Sequence, residues 1–372
     1  MTSPSSNRPI VVTGMGVVTP FGPGTDRFWE GIVRGESRIG EHDRIRLASG
    51  PTLSAPMPDE YLDDIDTRYG GHKNAWAIEK ILAETLKGSK LGGRGAVFFG
   101  NAFNGEASRE PQVGTRWLVD HWATWLKEKT GAETACSVLT ACSTANTTIS
   151  LGASWIADGH CDWAIVGAME MLYPDLINTF EVLRMTSRTG CRPFVEDRDG
   201  TVLGDGAGMI LLESAEHAAR RKARPIVELA GFGLMTDGGM GKFADTSVIR
   251  AMLTEALASA RLAPSDVDFI NSAATGSLLV DDLELDAMRA VFGASPPIVY
   301  SVKSLIGQSI GGTGAVEAIA TILSLWHQDV PAALTDPRGP KLAPGGRLEV
   351  AFNNSIAMTG HMCATVFRRV PS

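Results

Sequence analysis

The chain has 372 residues, 44% hydrophobic and 20% charged, with a formal net charge of −8. That length buries a substantial core in one large or two ordinary domains, and the acidic balance speaks against nucleic acid as the main partner, because neutralising phosphates takes extended basic clusters. No apolar run approaches the ~18 residues of a membrane helix and MTSPSSNRPIVVTG lacks the layout of a signal peptide, so the expectation is a cytoplasmic protein with no membrane partner.

In chain order, the apolar runs PIVVTGMGVV, GAVFFG, CDWAIVGA, GMILLES, VDFINSA and PIVYSV read as buried strands. Between them the spacing of apolar residues predicts helices over 73–87 and 247–261. Strands alternating with helices imply an α/β protein with covered sheets. Segment 40–70, with Pro51, Pro56 and Pro58 among acidic residues, reads as an irregular surface excursion. RPIVVTGMGVVTP (8–20) is echoed by RPIVELAGFGLMTD (224–237), each a strand running into a G-x-G turn. Two related halves follow, 1–218 and 219–372, joined in the charged stretch SAEHAARRKAR (214–224).

The glycine motifs do not indicate nucleotide sites. In VVTGMGVVTP the third glycine position holds Thr19 and no acidic ribose partner follows at the right distance. GDGAG (204–208) and GGTGA (311–315) lack the lysine of a phosphate loop, so close backbone packing is expected there. The five cysteines are Cys136, Cys142, Cys161, Cys191 and Cys363, odd in number and without C-x-x-C pairs, so neither disulfides nor a metal are expected to organise the fold. Of these, Cys142 in VLTACSTANTTIS (138–150) sits where a strand hands over to a helix. A helix N-terminus lowers a thiol's pKa and favours the nucleophilic thiolate, but the local residues fit a buried structural cysteine equally well.

Several ordered blocks decide more. VVTGMGVVTPFG with FWEGIVRGESRIG, TACSTA, DGHCDWAIVGAMEM, RPFVEDRDGTVLGDGAGMILLE, VDFINSAATGSLLVDDLE and SVKSLIGQSIGGTGAVEAI span nearly the whole chain. Together they resemble the β-ketoacyl synthases of fatty acid and type II polyketide biosynthesis. The resemblance implies a thiolase-like α/β fold of two pseudo-repeated halves in αβαβα layers, usually dimeric. It implies no bound cofactor, only acyl chains presented on the phosphopantetheine arm of acyl carrier protein. In that family a cysteine takes the acyl chain, and two histidines drive decarboxylation of a malonyl extender and condensation.

Carried onto this sequence, Cys142 occupies the nucleophile position. The first histidine position, in Asn271-Ser272-Ala273-Ala274-Thr275, is Ala273, and the second, in Lys303-Ser304-Leu305-Ile306-Gly307-Gln308, is Gln308. Lys303 and Glu284, expected as an ion pair, are retained. In the C-terminal block Asn354–Met362, Met358 replaces the gating aromatic, and its backbone N–H would join that of Cys142 as an oxyanion hole. His361, three residues on, is the one histidine placed to stand in for those lost. The chain is shorter than typical members around 45–60, 103–118 and 235–248.

Losing one preorganised donor to a developing oxyanion costs ~10²–10³ in rate, so decarboxylative condensation by this chain alone is not expected, while acyl transfer to Cys142 survives. Two readings compete. One is a partner subunit that sits beside a complete ketosynthase as a heterodimer and sets chain length, like a chain length factor. The other is a stand-alone acyltransferase or non-decarboxylative condensing enzyme using a Cys142 thioester, as a homodimer. A weaker third is a structural protein that only binds the carrier.

Overall fold

A computed structural model describes residues 8–47, 50–102, 121–238, 245–278, 280–293, 297–331 and 346–370. Of the three places where the chain is shorter than its expected relatives, 103–118 lies outside the described residues, as do parts of the other two.

The first half runs β1 (Ile10–Thr19), β2 (Gly22–Pro23), α1 (Thr25–Val33), β3 (Gly40–Leu47), β4 (Gly50–Ala55), α2 (Leu62–Tyr69), α3 (Lys73–Leu86), β5 (Gly95–Gly100) and α4 (His121–Thr130). It continues through β6 (Thr134–Ser137), α5 (Thr144–Ala157), β7 (Trp163–Glu170), α6 (Pro174–Val182), β8 (Leu203–Gly204), β9 (Gly206–Ser214) and α7 (Ala215–Arg220). The second half is β10 (Val227–Thr236), α8 (Thr246–Ala260), β11 (Phe269–Asn271), α9 (Val280–Phe292), β12 (Ile298–Tyr300), α10 (Lys303–Ile306), α11 (Thr313–His327), β13 (Val350–Ile356) and β14 (His361–Arg369).

The repeat in the sequence is a repeat in topology. From β1 outward the order is β9, β7, β5, β6, and from β10 outward it is β14, β13, β11, β12. In each half the first two pairings are antiparallel and the next two parallel. The echoed segments themselves meet, since β1 and β10 pair antiparallel at Val11↔Glu228 and Val12↔Val227. Strands β5 and β7 are buried at every position, which is why they read as unbroken apolar runs rather than alternating ones.

Helices α5 and α11 are buried along nearly their whole length and pack on each other and on strands of both halves. Helices α3 and α8 cover the other faces, α3 on β1 and β9, α8 on β10 and β14. The layering is therefore αβαβα, the thiolase-like fold that the resemblance implied. The glycine motifs serve close packing: a Cβ on Gly206 would lie 2.2 Å from Ser309 Oγ, and one on Gly312 would lie 2.2 Å from the carbonyl of Gly206.

Segment 40–70 differs from the irregular excursion expected. Strands β3 and β4 form an antiparallel hairpin, β4 pairs in parallel with β8, and α2 buries Ile65. The prolines misled the reading because Pro51 stands at the start of β4, ahead of the Ser54–Ala55 pairing with β8, and Pro56 and Pro58 lie just after the strand.

Candidate active site

Cys142 stands on the turn from β6 into α5, in a 3-10 turn over Ala141–Ser143. The turn forces Ala141 to φ 51, left-handed backbone that costs an alanine ~1–2 kcal/mol. Side chains hold it there. The Thr140 N–H donates to Thr144 Oγ1 at 2.9 Å, Thr144 Oγ1 donates to the Ala141 carbonyl at 2.7 Å, and Ser143 Oγ donates to the Thr140 carbonyl at 2.8 Å. The second half repeats this turn before α11, with Ile310 at φ 37 and the Ser309 N–H donating to Thr313 Oγ1 at 2.8 Å. There the position equivalent to Cys142 is Gly311, and the two turns pack together.

Gln308 enters from that second turn. Gly307, at φ 72 and with no room for a Cβ beside the Val202 carbonyl, lets the chain lie against β8. The Gln308 N–H donates to the Val202 carbonyl at 2.7 Å and its carbonyl accepts from the Gly204 N–H at 3.0 Å. Its Oε1 accepts from Thr313 Oγ1 at 3.4 Å, and the carboxamide hydrogen-bonds the Cys142 sulfur. Burial pushes the Cys142 thiol up, opposed by the Gln308 hydrogen bond and the charge of Lys303. The helix N-terminus had suggested the reverse; desolvation of a thiolate is the larger effect.

Lys303 is buried and its ion pair is with Glu317 of α11, not with Glu284. Its Nζ also donates to the Ser272 carbonyl at 3.3 Å. Glu284 instead ties the other blocks together: one oxygen accepts from the Ala273 N–H and from Asn354 Nδ2, both at 3.0 Å. Burial pushes the carboxyls of Glu284 and Glu317 each up to about 7, with Lys303 acting against the rise in both. Ala273 itself is buried and presents only a methyl group.

The open side of Cys142 is a cleft of about 330 Å³. Its lining includes Phe180, Leu183, Thr275, Leu278, Gln308 and Met358. The backbone N–H groups of Cys142 and Met358 donate to no carbonyl of the described residues. Met358 sits in a tight turn closed by the Ala357 N–H to the His361 carbonyl at 2.8 Å. His361 is not brought into the cleft; its Nδ1 shares a 3.2 Å hydrogen bond with Thr236 Oγ1.

Sequence reasoning missed a clamp on the cleft wall. Arg198 donates to the carbonyls of Ser277 and Leu278, each at 3.1 Å. Asp281 accepts from the N–H groups of Thr275 and Gly276, each at 3.0 Å. Arg198 and Asp281 also pair with each other at 3.6 Å, both buried. The signal was present as RPFVEDRDG and VDDLE, but nothing in the chain order says that the two meet.

Comparison with known proteins gives this arrangement its family. The β-ketoacyl synthase N-terminal domain matches residues 7–117 and 122–218, and the β-ketoacyl synthase C-terminal domain matches 226–335. The chain belongs to the β-ketoacyl synthase family. It is 30% identical to chloroplastic 3-oxoacyl-[acyl-carrier-protein] synthase I of Hordeum vulgare, over 96% of this chain and 88% of that protein. It is 29% identical to putative polyketide beta-ketoacyl synthase 1 of Streptomyces halstedii, over 87% of each. Among solved structures, the ishigamide ketosynthase/chain length factor superposes with a TM-score of 0.86 at 26% identity, covering 98% of this chain and 100% of that one. The β-ketoacyl synthase family comprises acyltransferases of fatty acid and polyketide biosynthesis. Among the described residues, no helix is long and apolar enough to cross a membrane.

Proposed function

We propose that this ketosynthase-family chain accepts an acyl group from acyl carrier protein on Cys142, does not itself decarboxylate an extender, and works as the partner subunit of a complete ketosynthase. The observation that carries the reading is the pair of side chains at the histidine positions. Ala273 offers no proton and no donor, and Gln308, hydrogen-bonded to the sulfur, donates an N–H but takes up no proton at neutral pH.

Acyl transfer needs neither histidine as a strong base. The Cys142 sulfur attacks the thioester carbonyl of the phosphopantetheine arm, and the backbone N–H groups of Cys142 and Met358 take the oxyanion. The new carbon–sulfur bond to Cys142 replaces that to pantetheine, whose sulfur leaves with the proton given up by Cys142. The Hordeum vulgare relative is by name a 3-oxoacyl-[acyl-carrier-protein] synthase, and the ishigamide protein is a ketosynthase/chain length factor. These two relationships support carrier-bound substrates and a two-subunit assembly here.

The second reading is a stand-alone acyltransferase, favoured by the cleft that keeps Cys142 half-open to its surroundings. Reconstitution separates the two. The chain is mixed with acyl- and malonyl-loaded carrier protein, with and without a co-encoded complete ketosynthase, and chain length is read by mass spectrometry. The partner reading expects products only with both subunits. Transfer of the acyl group to a small acceptor by the chain alone, with no effect of added ketosynthase, would support the second reading and overturn the first.

A further inference from the structure

Beside the cleft, the described residues that Cys142 packs against form a filled cluster. There the residue packs in a cluster of Leu172, Leu176, Ile177, Phe180, Leu203 and Ile310. Their exposures are 2%, 4%, 0%, 6%, 1% and 1%. A space wide enough for a water molecule would register as exposure of the side chains around it, and an alkyl chain needs a channel at least about that wide. The cluster is also pinned. Asp205 accepts from the N–H groups of Leu172 and Met57 through its two oxygens, and the Phe180 carbonyl accepts from the Met185 N–H at 3.0 Å. Ile310 is held in the second turn described above. Opening such a core means moving several close-packed side chains together.

The open side offers about 330 Å³, near the low end of ~300–1,000 Å³ for small-molecule sites. The carrier's arm must enter that same space to reach the sulfur. Phe180 lies on the boundary, since it both lines the cleft and belongs to the packed cluster.

We infer that Cys142 of this chain accepts short acyl groups, of acetyl to butyryl size, and that Phe180 is the residue that excludes longer ones. This rests on the proposed Cys142 thioester. The transfer is the thioester exchange written above, with nothing oxidised or reduced. A short group stays beside the sulfur after the arm withdraws and leaves room for a second arm; a long chain finds no channel among the described residues around Cys142.

The test loads carrier protein with acetyl, butyryl, octanoyl or dodecanoyl groups and follows the mass gain of the intact chain, with Cys142→Ala as control. Acetyl and butyryl are expected to load more than about tenfold faster than octanoyl, the lower end of discrimination by pocket size. Phe180→Ala is expected to narrow that ratio and Phe180→Leu to narrow it less. Dodecanoyl loading as fast as acetyl on the unaltered chain overturns the inference, and that measurement stands whether or not the variants fold. Discrimination in the unaltered chain that neither folded Phe180 variant changes overturns the assignment to Phe180. A lack of Cys142-dependent mass gain with every group overturns instead the thioester reading beneath it.

Discussion

Replacing Gln308 by Ala removes the side-chain hydrogen bond to the Cys142 sulfur and little else. The backbone bonds of Gln308 to Val202 and Gly204 remain, and the amide's contact with Thr313 Oγ1 is long, at 3.4 Å. A hydrogen bond to a charged group contributes ~1.5–3 kcal/mol. Its loss removes that support from the thiolate and pushes further up a thiol already raised by burial. Below its pKa the thiolate fraction then falls ~10–100-fold. A more basic thiolate is intrinsically more nucleophilic, with a Brønsted slope of ~0.4–0.5, which returns about half of that on a logarithmic scale. The net expectation is that alkylation of Cys142 slows about 3- to 10-fold. Iodoacetamide labelling at fixed pH, read by peptide mass, measures it, with the exposed Cys136 as an internal reference. An unchanged or higher Cys142-to-Cys136 rate ratio in the variant would refute the claim that Gln308 supports the thiolate.

Three further outcomes follow from the buried network and the turn. Lys303→Met strips the cation from Glu317 and is expected to cost ~3–5 kcal/mol, as for other broken buried pairs. With an unfolding entropy of ~2.1 cal/mol/K per residue over 372 residues, that lowers Tm by about 4–6 °C in a thermal melt; no change refutes the pair's structural role. Burial raises the folded-state pKa of Glu284 to about 7, above its unfolded value, so its contribution to stability is full below about pH 4.5 and is lost as pH rises through about 7. Glu284→Gln does not titrate, so denaturant melts should show the variant gaining on the unaltered chain between pH 5 and 8; a pH-independent difference contradicts this. Ala141→Gly relieves the φ 51 backbone and, after the added chain entropy of glycine, is expected to stabilise by ~0.5–1 kcal/mol in urea melts.

Much of the architecture was legible because burial leaves a plain mark on sequence. The runs PIVVTGMGVV, GAVFFG and CDWAIVGA became β1, β5 and β7, and the echo between 8–20 and 224–237 became two strands that pair with each other. The placement of Cys142 on a strand-to-helix turn was equally readable. What failed to show depends on distance in space. The partner of Lys303 is Glu317, which the helical register of α11 carries back to it; Glu284, the acid that the family resemblance implied, bonds Ala273 and Asn354 instead. The Cys142 thiol is pushed up because burial outweighs the favourable donors around it, and burial depends on neighbours from four other segments. Likewise Arg198 and Asp281 meet across a long stretch of chain to hold one wall of the cleft.

The central claim is that Cys142 still takes an acyl group while Ala273 and Gln308 have removed decarboxylation. The most direct measurement gives the purified chain acetyl- and malonyl-carrier protein together, following the intact mass of the chain and carbon dioxide release in one reaction. The account predicts an acetyl-sized mass gain that Cys142→Ala abolishes, with carbon dioxide release no faster than in that variant. Release of carbon dioxide above that background by the chain alone would contradict it.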